Sequence, residues 1–444
     1  MFYPRAKEEK LDEALFKNPS SEYRGAPFWA WNDKLDREEL IRQIHIFKEM
    51  GFGGFHMHVR TGLDTDYLSD EYMEDIRLCI DEAKKLSMLG YLYDEDRWPS
   101  GTCGGRVTKD HPEFARKSLL FTIRPERADH SGNEVPEAGR GQEARRQENG
   151  RLLAVYDLAQ DREGYLVHSE LLWKRTEGED QPDEAVIGAF PPEEAPEGRR
   201  RWYAYEEHNT ADPWFNNQAY VDTLHPEAVK RFIELTHERY REAIGDEFGQ
   251  GTRSIFTDEP QFMPKKPADF ALIPRDAVIP WTTGLDRLYE ERFGEDLWPL
   301  LPGLFFEQPG RLPRVRLRMQ NLVTDRFVES YCAQTGQWCE AHGLLLTGHI
   351  NGEPTLHSQT QSVGDAMRAY ESFGIPGIDM LCDFHEYTTA KQAASRVRQL
   401  GKEGMLSELY GVTGWDYDFR GYKLQGDWQA ALGVTLRVPH LAWL

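Results

Sequence analysis

The sequence predicts an α/β fold: an eight-stranded (β/α)8 TIM barrel with a β-rich insertion after strand three and no helix after strand eight. Three observations carry this. Short apolar or aromatic runs alternate with helix-length amphipathic segments, the pattern of parallel strands covered by helices. The alternation breaks from about Pro125 to Arg200, where Gly, Pro, Glu and Arg dominate. The chain also stops on its last strand-like run, GVTLRVPHLAWL, although a barrel normally covers that strand with an eighth helix.

The first strand is read in APFWAWN (26–32), followed by a helix in DREELIRQIHIFKEM, whose Leu40, Ile44 and Phe47 recur at three- and four-residue spacing until Gly51 ends it. FGGFHMHVR (52–60) is the second strand, a helix covers roughly 69–89, and GYLYDED (90–96) is the third strand. RLLAVYDL, GYLVHSELLW and RRWYAYEE are strand-like islands of the irregular stretch. This divides the chain into a barrel over 1–120 and 206–444 and an insertion domain over 121–205. A helix at 225–245 resumes the rhythm, RSIFTDEPQF (253–262) is the fourth strand, and a second loop-rich excursion follows. After a long helical region at 313–342 come LLLTGHINGE, GIDMLCDF, MLSELYGVTGW and the final run, separated by helices near 359–373, 389–401 and 426–432. Either a helix around residues 7–17 covers the last strand, or Leu444 is an early stop in a longer protein.

The 444 residues suffice for a full core, and 39% hydrophobic with 29% charged residues fits a globular chain. A net charge of -22 disfavours nucleic acid and anionic membranes as partners, because affinity for phosphate backbones rests on Lys and Arg. The five cysteines are scattered and never spaced CxxC, which predicts neither a disulfide framework nor a zinc knuckle and fits a reducing compartment. The charged N-terminus has no signal-peptide core, and no apolar run approaches about 18 residues, so a cytoplasmic location is expected. The 22 Phe, 19 Tyr and 12 Trp offer faces on which sugar rings stack.

Barrel active sites lie at the C-terminal strand ends, so the polar residues there are the candidates. Strand one contributes Trp31 and Asn32; strand two His56, His58 and Arg60; strand three Asp94, Glu95, Asp96, Arg97 and Trp98. Strand four contributes Asp258 and Glu259; strand five His349, Asn351 and Glu353; strand six Asp379, Asp383 and His385; strand seven Glu408, Tyr410 and Trp415; strand eight His440. Glycoside hydrolysis needs one protonated carboxyl group and one ionised one. Glu259 and Glu408 are the preferred catalytic pair, with Glu353 able to replace or assist Glu408, and a charged Asp258 beside Glu259 would help keep it protonated. Sugar-binding candidates are Trp31, Asn32, His56, His58, Arg60, Asp94, Asp96, Arg97, Trp98, Asp258, His349, Asn351, Asp383, Tyr410, Trp415 and His440. Any single Glu after a strand is more often a surface ion pair or a helix-cap neighbour than a catalyst, and each Trp serves equally well as rim core. In HMHVR two His at alternate positions share a face and could hold a metal, as in amidohydrolase-type barrels, but the inward strand-eight Asp such enzymes need is missing from VPHLAW. No metal ligand is assigned. GTCGG lacks the Lys and the spacing of a phosphate loop, so no nucleotide is expected.

PFWAWN, GFGGFHMHVRTGL, LYDEDRWPSGTCGG, FTDEP, TGHINGE, GIDML and SELYGVTGWDY together resemble bacterial proteins related to glycoside hydrolase family 106, the α-L-rhamnosidases, over nearly the whole chain outside the insertion. The resemblance implies hydrolysis of a terminal deoxy-sugar with inversion, Glu259 as general acid, Glu408 as general base, Glu353 as an assisting carboxylate and a bound calcium ion whose ligands it does not locate. No other cofactor is expected. Proteins of this group are longer, with β-sandwich domains after the barrel, so missing C-terminal domains or a homo-oligomer would complete the rim. A non-catalytic carbohydrate-binding barrel is the alternative from a different class.

Overall fold

The computed structural model describes residues 2–3, 10–125, 146, 149–176, 178, 180–265, 276–310 and 312–444. Its strands are, in chain order, β1 (Phe28–Trp31), β2 (Gly54–Val59), β3 (Leu89–Tyr93), β4 (Lys117–Thr122), β5 (Arg151–Gln160), β6 (Leu166–Lys174), β7 (Arg200–His208), β8 (Ser254–Thr257), β9 (Ala277–Trp281), β10 (Leu345–Gly348), β11 (Ile375–Met380), β12 (Leu406–Leu409), β13 (Leu436–Pro439) and β14 (Ala442–Trp443). Nine of them form one parallel sheet in the order β13-β12-β11-β10-β8-β3-β2-β1-β14. Because β14 follows β13 by two residues and pairs with β1, both ends of the series belong to one stretch of chain, and the sheet is a near-barrel.

Strand period two decides what each face carries. Phe28, Tyr91, Tyr93, Phe256, Ile375, Leu406, Leu436 and Val438 form one cluster on the inner face, and Trp29, Leu92, Ile255 and Ile378, in the opposite phase on the same strands, belong to the core that packs on the helices. The helices start where side chains satisfy the free N–H groups: Asp36 accepts from Glu39 ahead of Arg37–Glu49, and Ser69 from Tyr72 ahead of Asp70–Lys85. The long expected helix at 313–342 is interrupted by a π-helical turn over Val328–Ala333.

The remaining strands make an antiparallel sheet, β6-β5-β7-β4-β9. It draws on both irregular stretches, since β9 comes from the excursion after β8 and pairs with β4. One face buries Leu120, Val155 and Tyr203, and the other stacks Phe121 on Trp202 and Phe305. The residue 7–17 helix falls partly outside the described residues; its described part, Glu13–Lys17, buries nothing. Phe2 instead enters the inner cluster at the N-terminal strand ends, stacked 6.0 Å from Tyr91. No helix among the described residues is long and apolar enough to cross a membrane.

Gly348 ends β10 with φ at +111°, and a Cβ there would collide with the Thr257 carbonyl beside it. Gly343 also has a positive φ, +76°, but faces open space. Gly343→Ala should therefore cost about 1 kcal/mol from backbone strain alone. Gly348→Ala should cost about 3 kcal/mol, with overpacking added. Urea unfolding midpoints of the two variants check the difference.

Candidate active site

The inner-face columns become polar at the C-terminal strand ends, in the last positions of β11 and β12 and just past the ends of β8, β10 and β13. Two residues beyond Phe256 lies Asp258; two beyond Thr347, His349; two beyond Gly377, Asp379; two beyond Leu406, Glu408; and two beyond Val438, His440. Register brings them side by side: Thr347 pairs with Phe256 and Ile375, Asp379 with Glu408, and Glu408 with Val438.

His349 is the hub. Its Nε2 lies 3.1 Å from Asp258 Oδ1, and its Nδ1 lies 3.8 Å from Glu408 Oε2. His440 Nε2 approaches the other Glu408 oxygen at 3.7 Å. The Tyr93 hydroxyl donates to Asp258 Oδ2 at 2.6 Å, and the Asn351 amide donates to Glu259 Oε2 at 3.3 Å. Ligand atoms of Glu259, His349 and Asp379 lie within 4.8 Å of one another, as do those of Asp258, His349 and Glu408. Glu259 follows β8 with φ at +46°, a left-handed conformation costing a Glu about 1 to 2 kcal/mol that the surrounding structure must supply.

So many acids around one imidazole cannot all ionise. Burial opposes charge on His349, but the Asp258 hydrogen bond and the charges of Asp258, Asp379 and Glu408 outweigh it and raise its pKa well above the ordinary value. Burial likewise opposes charge on Asp258, and there the His349 bond and charge, with Tyr93, win and hold the carboxyl low. Those two form an ion pair. The others go the opposite way: burial and then the charge of Asp258 push Glu259 up to about 7, and burial with the charges of Asp379 and Asp258 pushes Glu408 up. Asp379 is raised, chiefly by burial. Glu353 lies one step behind, accepting the Asp379 N–H at 3.1 Å and a short hydrogen bond from the Tyr370 hydroxyl; burial lifts it to about 8.

Of the sequence candidates, Asp258, Glu259, His349, Asn351, Glu408 and His440 thus meet, with Glu353 behind them. His58 borders the group, its ring 4.1 Å from that of Tyr93, and burial, with the charge of Arg60, holds its pKa well below the ordinary value. Arg60 lies 4.6 Å over the Trp98 ring, and Asn32 is half-buried at the end of β1. Others go elsewhere. Trp31 is fully buried on the helix-facing side against Trp29 and Tyr72, because it alternates with Phe28 in the wrong phase. His56 sits a full layer deeper, bonded to the Ala26 carbonyl and stacked on Tyr91. Asp94 is buried beneath the loop after β3, where it accepts the Ser100 hydroxyl. Asp96 and Arg97 are occupied with Asn216, and Tyr410, turned by a φ of +77°, packs 4.9 Å from Tyr422 on the helix Phe419–Leu432. Asp383 and Trp415 are exposed. Asp379, not Asp383, is the β11 carboxylate beside His349. Its i+4 spacing from Ile375 on the inner column was the available signal.

Both three-ligand groups among the described residues are built on the His349 imidazole. Calcium takes six to eight oxygens, so neither group fits the calcium that the resemblance implies.

No family model matches the chain, and no curated protein matches it. Among solved structures it is similar to a rhamnosidase from Novosphingobium sp. PP1Y, with a TM-score of 0.62 at 16% identity, over 97% of this chain and 56% of that one. It is also similar to a β-galactosidase from the Antarctic haloarchaeon Halorubrum lacusprofundi, with a TM-score of 0.45 at 12% identity, over 95% and 52% of the two chains. The likeness to the rhamnosidase is one of fold, and the chain spans about half the length of these proteins.

The raised carboxyls predict a pH dependence of stability. A group such as Glu353, whose pKa rises on folding from 4.5 to about 8, binds its proton more tightly in the folded state. Its contribution is full below pH about 4.5 and is lost as pH climbs towards about 8. Glu353→Gln should therefore remove a few kcal/mol of the stability loss between pH 5 and pH 8, read from urea midpoints at the two pH values.

Proposed function

We propose that the chain is a glycoside hydrolase, a (β/α)8 barrel with 121–205 as its insertion domain, that removes a terminal rhamnose-type sugar from a glycan or glycoside. The observation that carries this reading is the meeting of Glu259 and Glu408 beside His349, with carboxyls driven to hold protons near neutral pH. Glycoside hydrolysis requires a protonated and an ionised carboxyl at the same moment. A coupled group whose ion pair, Asp258 with His349, is already settled meets that need, because loss of a proton by one remaining acid strengthens the hold of the others.

Glu259, half-buried with a pKa of about 7, is the acid. It gives its proton to the departing glycosidic oxygen as the bond to the anomeric carbon breaks. Glu408, acting in the fraction of molecules where it is the acid of the coupled group that has lost its proton, a form the nearby His349 charge favours, takes a proton from the water whose oxygen bonds to that carbon from the opposite face, giving inversion. Glu353 supports the base side by holding the Asp379 backbone. Arg60, Trp98, Asn351 and His440 are the polar and aromatic groups available to the sugar, with buried His58 behind them.

A panel of nitrophenyl glycosides including the α-L-rhamnoside tests this. Wild type should hydrolyse a member of the panel, and Glu259→Gln and Glu408→Gln should each lower kcat by about 100- to 10,000-fold. An acid must be protonated to act, so wild-type kcat/KM should fall as pH rises through about 7. That limb should be absent in Glu259→Gln. Undiminished activity in Glu259→Gln would overturn the assignment, and a wild type inactive on the whole panel would favour a binding barrel.

A further inference from the structure

Glu95 and Ser100 have no part in the chemistry above, yet both are completely buried beside it. Glu95 follows β3, and its carboxylate gathers the loop around itself: Oε2 accepts the N–H groups of Gly101, Thr102 and Cys103 at 2.9, 2.7 and 2.9 Å, and Oε1 those of Gly104 and Asp96 at 2.6 and 2.9 Å. Charge-assisted bonds of this kind, five on one side chain, make the loop a template with little freedom. What it presents is Ser100. The Ser100 N–H donates to the Asp258 carbonyl at 2.7 Å, and the Ser100 Oγ accepts the Asp258 N–H at 2.8 Å while donating to Asp94 Oδ1 at 2.6 Å. The Ser100 carbonyl is itself tied to the Tyr220 hydroxyl at 2.8 Å.

These two contacts satisfy both backbone groups of Asp258, the residue where the β8 ladder has ended and immediately before Glu259 takes its left-handed φ of +46°. Nothing in the ladder holds the strained turn there. We propose that the loop after β3 is a positioning element for the proton donor, with Ser100 seating the Asp258–Glu259 backbone and Glu95 holding Ser100 in place. The proposal rests on the reading of Glu259 as the general acid. Ser100 acts through Glu259, so its removal should impair proton delivery to the leaving group and leave sugar binding intact.

Leaving-group dependence reads this out. For the sugar that wild type cleaves, a methyl glycoside needs full protonation of its leaving oxygen and a 2,4-dinitrophenyl glycoside almost none. Ser100→Ala should lower kcat about 10- to 100-fold on the methyl glycoside, and by less than about 3-fold on the dinitrophenyl glycoside, with KM changed by less than about 2-fold on both. Glu259→Gln should give the same pattern with a larger span. Equal slowing of both substrates by Ser100→Ala, or no slowing, while Glu259→Gln shows the dependence, overturns the positioning role alone. Absence of the dependence in Glu259→Gln, or a wild type that cleaves no glycoside, overturns the acid assignment and the positioning role with it. Ser100→Gly, which removes the same hydroxyl and adds no atoms, serves if the alanine variant does not fold. Failure of both to fold counts against a role confined to positioning.

Discussion

An imidazolium buried among carboxylates is the constraint on which the site depends. His349 is almost without solvent contact, and its charge is tolerable there only because Asp258 lies against one nitrogen and Glu408 near the other. Once that pair is fixed, the other acids lose their freedom: Glu259 lies next to a charged Asp258, Glu408 faces Asp379 across one register step, and burial denies all of them the water that would stabilise a second and third charge. The protonation pattern thus follows from how few positive charges face how many carboxyls.

The fold delivers this arrangement by repetition. The inner columns of the parallel sheet are mainly apolar in their lower layers, with His56, Ser254 and Thr347 as buried polar members, and end in titratable groups, so the aromatic interior around Phe28, Tyr93 and Phe256 is capped by a ring of acids and histidines. Two glycines keep neighbouring strands close, Gly348 at the end of β10 against the Thr257 carbonyl and Gly377 within β11 against the Gly348 carbonyl. The order of the site is therefore inherited from the packing beneath it, and the strained Glu259 turn is affordable because its flanking backbone is bonded from the β3 side.

Much of this was legible in the sequence wherever a period could be followed. The nine strands of the parallel sheet fall on the eight apolar runs, the last run supplying both β13 and β14, and Asp258, Glu259, His349 and Glu408 stood at polar tips of those runs. Period also explains the misreadings. Trp31 looked like a rim residue because it ends an aromatic run, but FWAW alternates, and Phe28 rather than Trp31 has the inner phase. Tyr410 sits two residues past Glu408, where a left-handed φ turns it towards the helix, and no local sequence signal forces that conformation on a tyrosine. Asp383 was preferred to Asp379 although both share the phase of Ile375 and Gly377, and only Asp379 lies within β11, which ends at Met380. The role of His349 was not legible, since which side chains flank it depends on register between strands about 90 residues apart. The joining of β9 to β4 was hidden for the same reason, their partnership being set by packing across more than 150 residues.

The charge of the His349 ring can be observed without any substrate. Selective 15N labelling of the histidines, with His349→Gln to assign the signal, reports the protonation of both His349 nitrogens by NMR as pH is raised from 5 to 8. The ring should still be an imidazolium, protonated at both nitrogens, at pH values above the ordinary histidine midpoint, because the Asp258 hydrogen bond and the surrounding carboxylates raise its pKa. A His349 that titrates near the ordinary histidine value of about 6.5, or is neutral at pH 5, would contradict it.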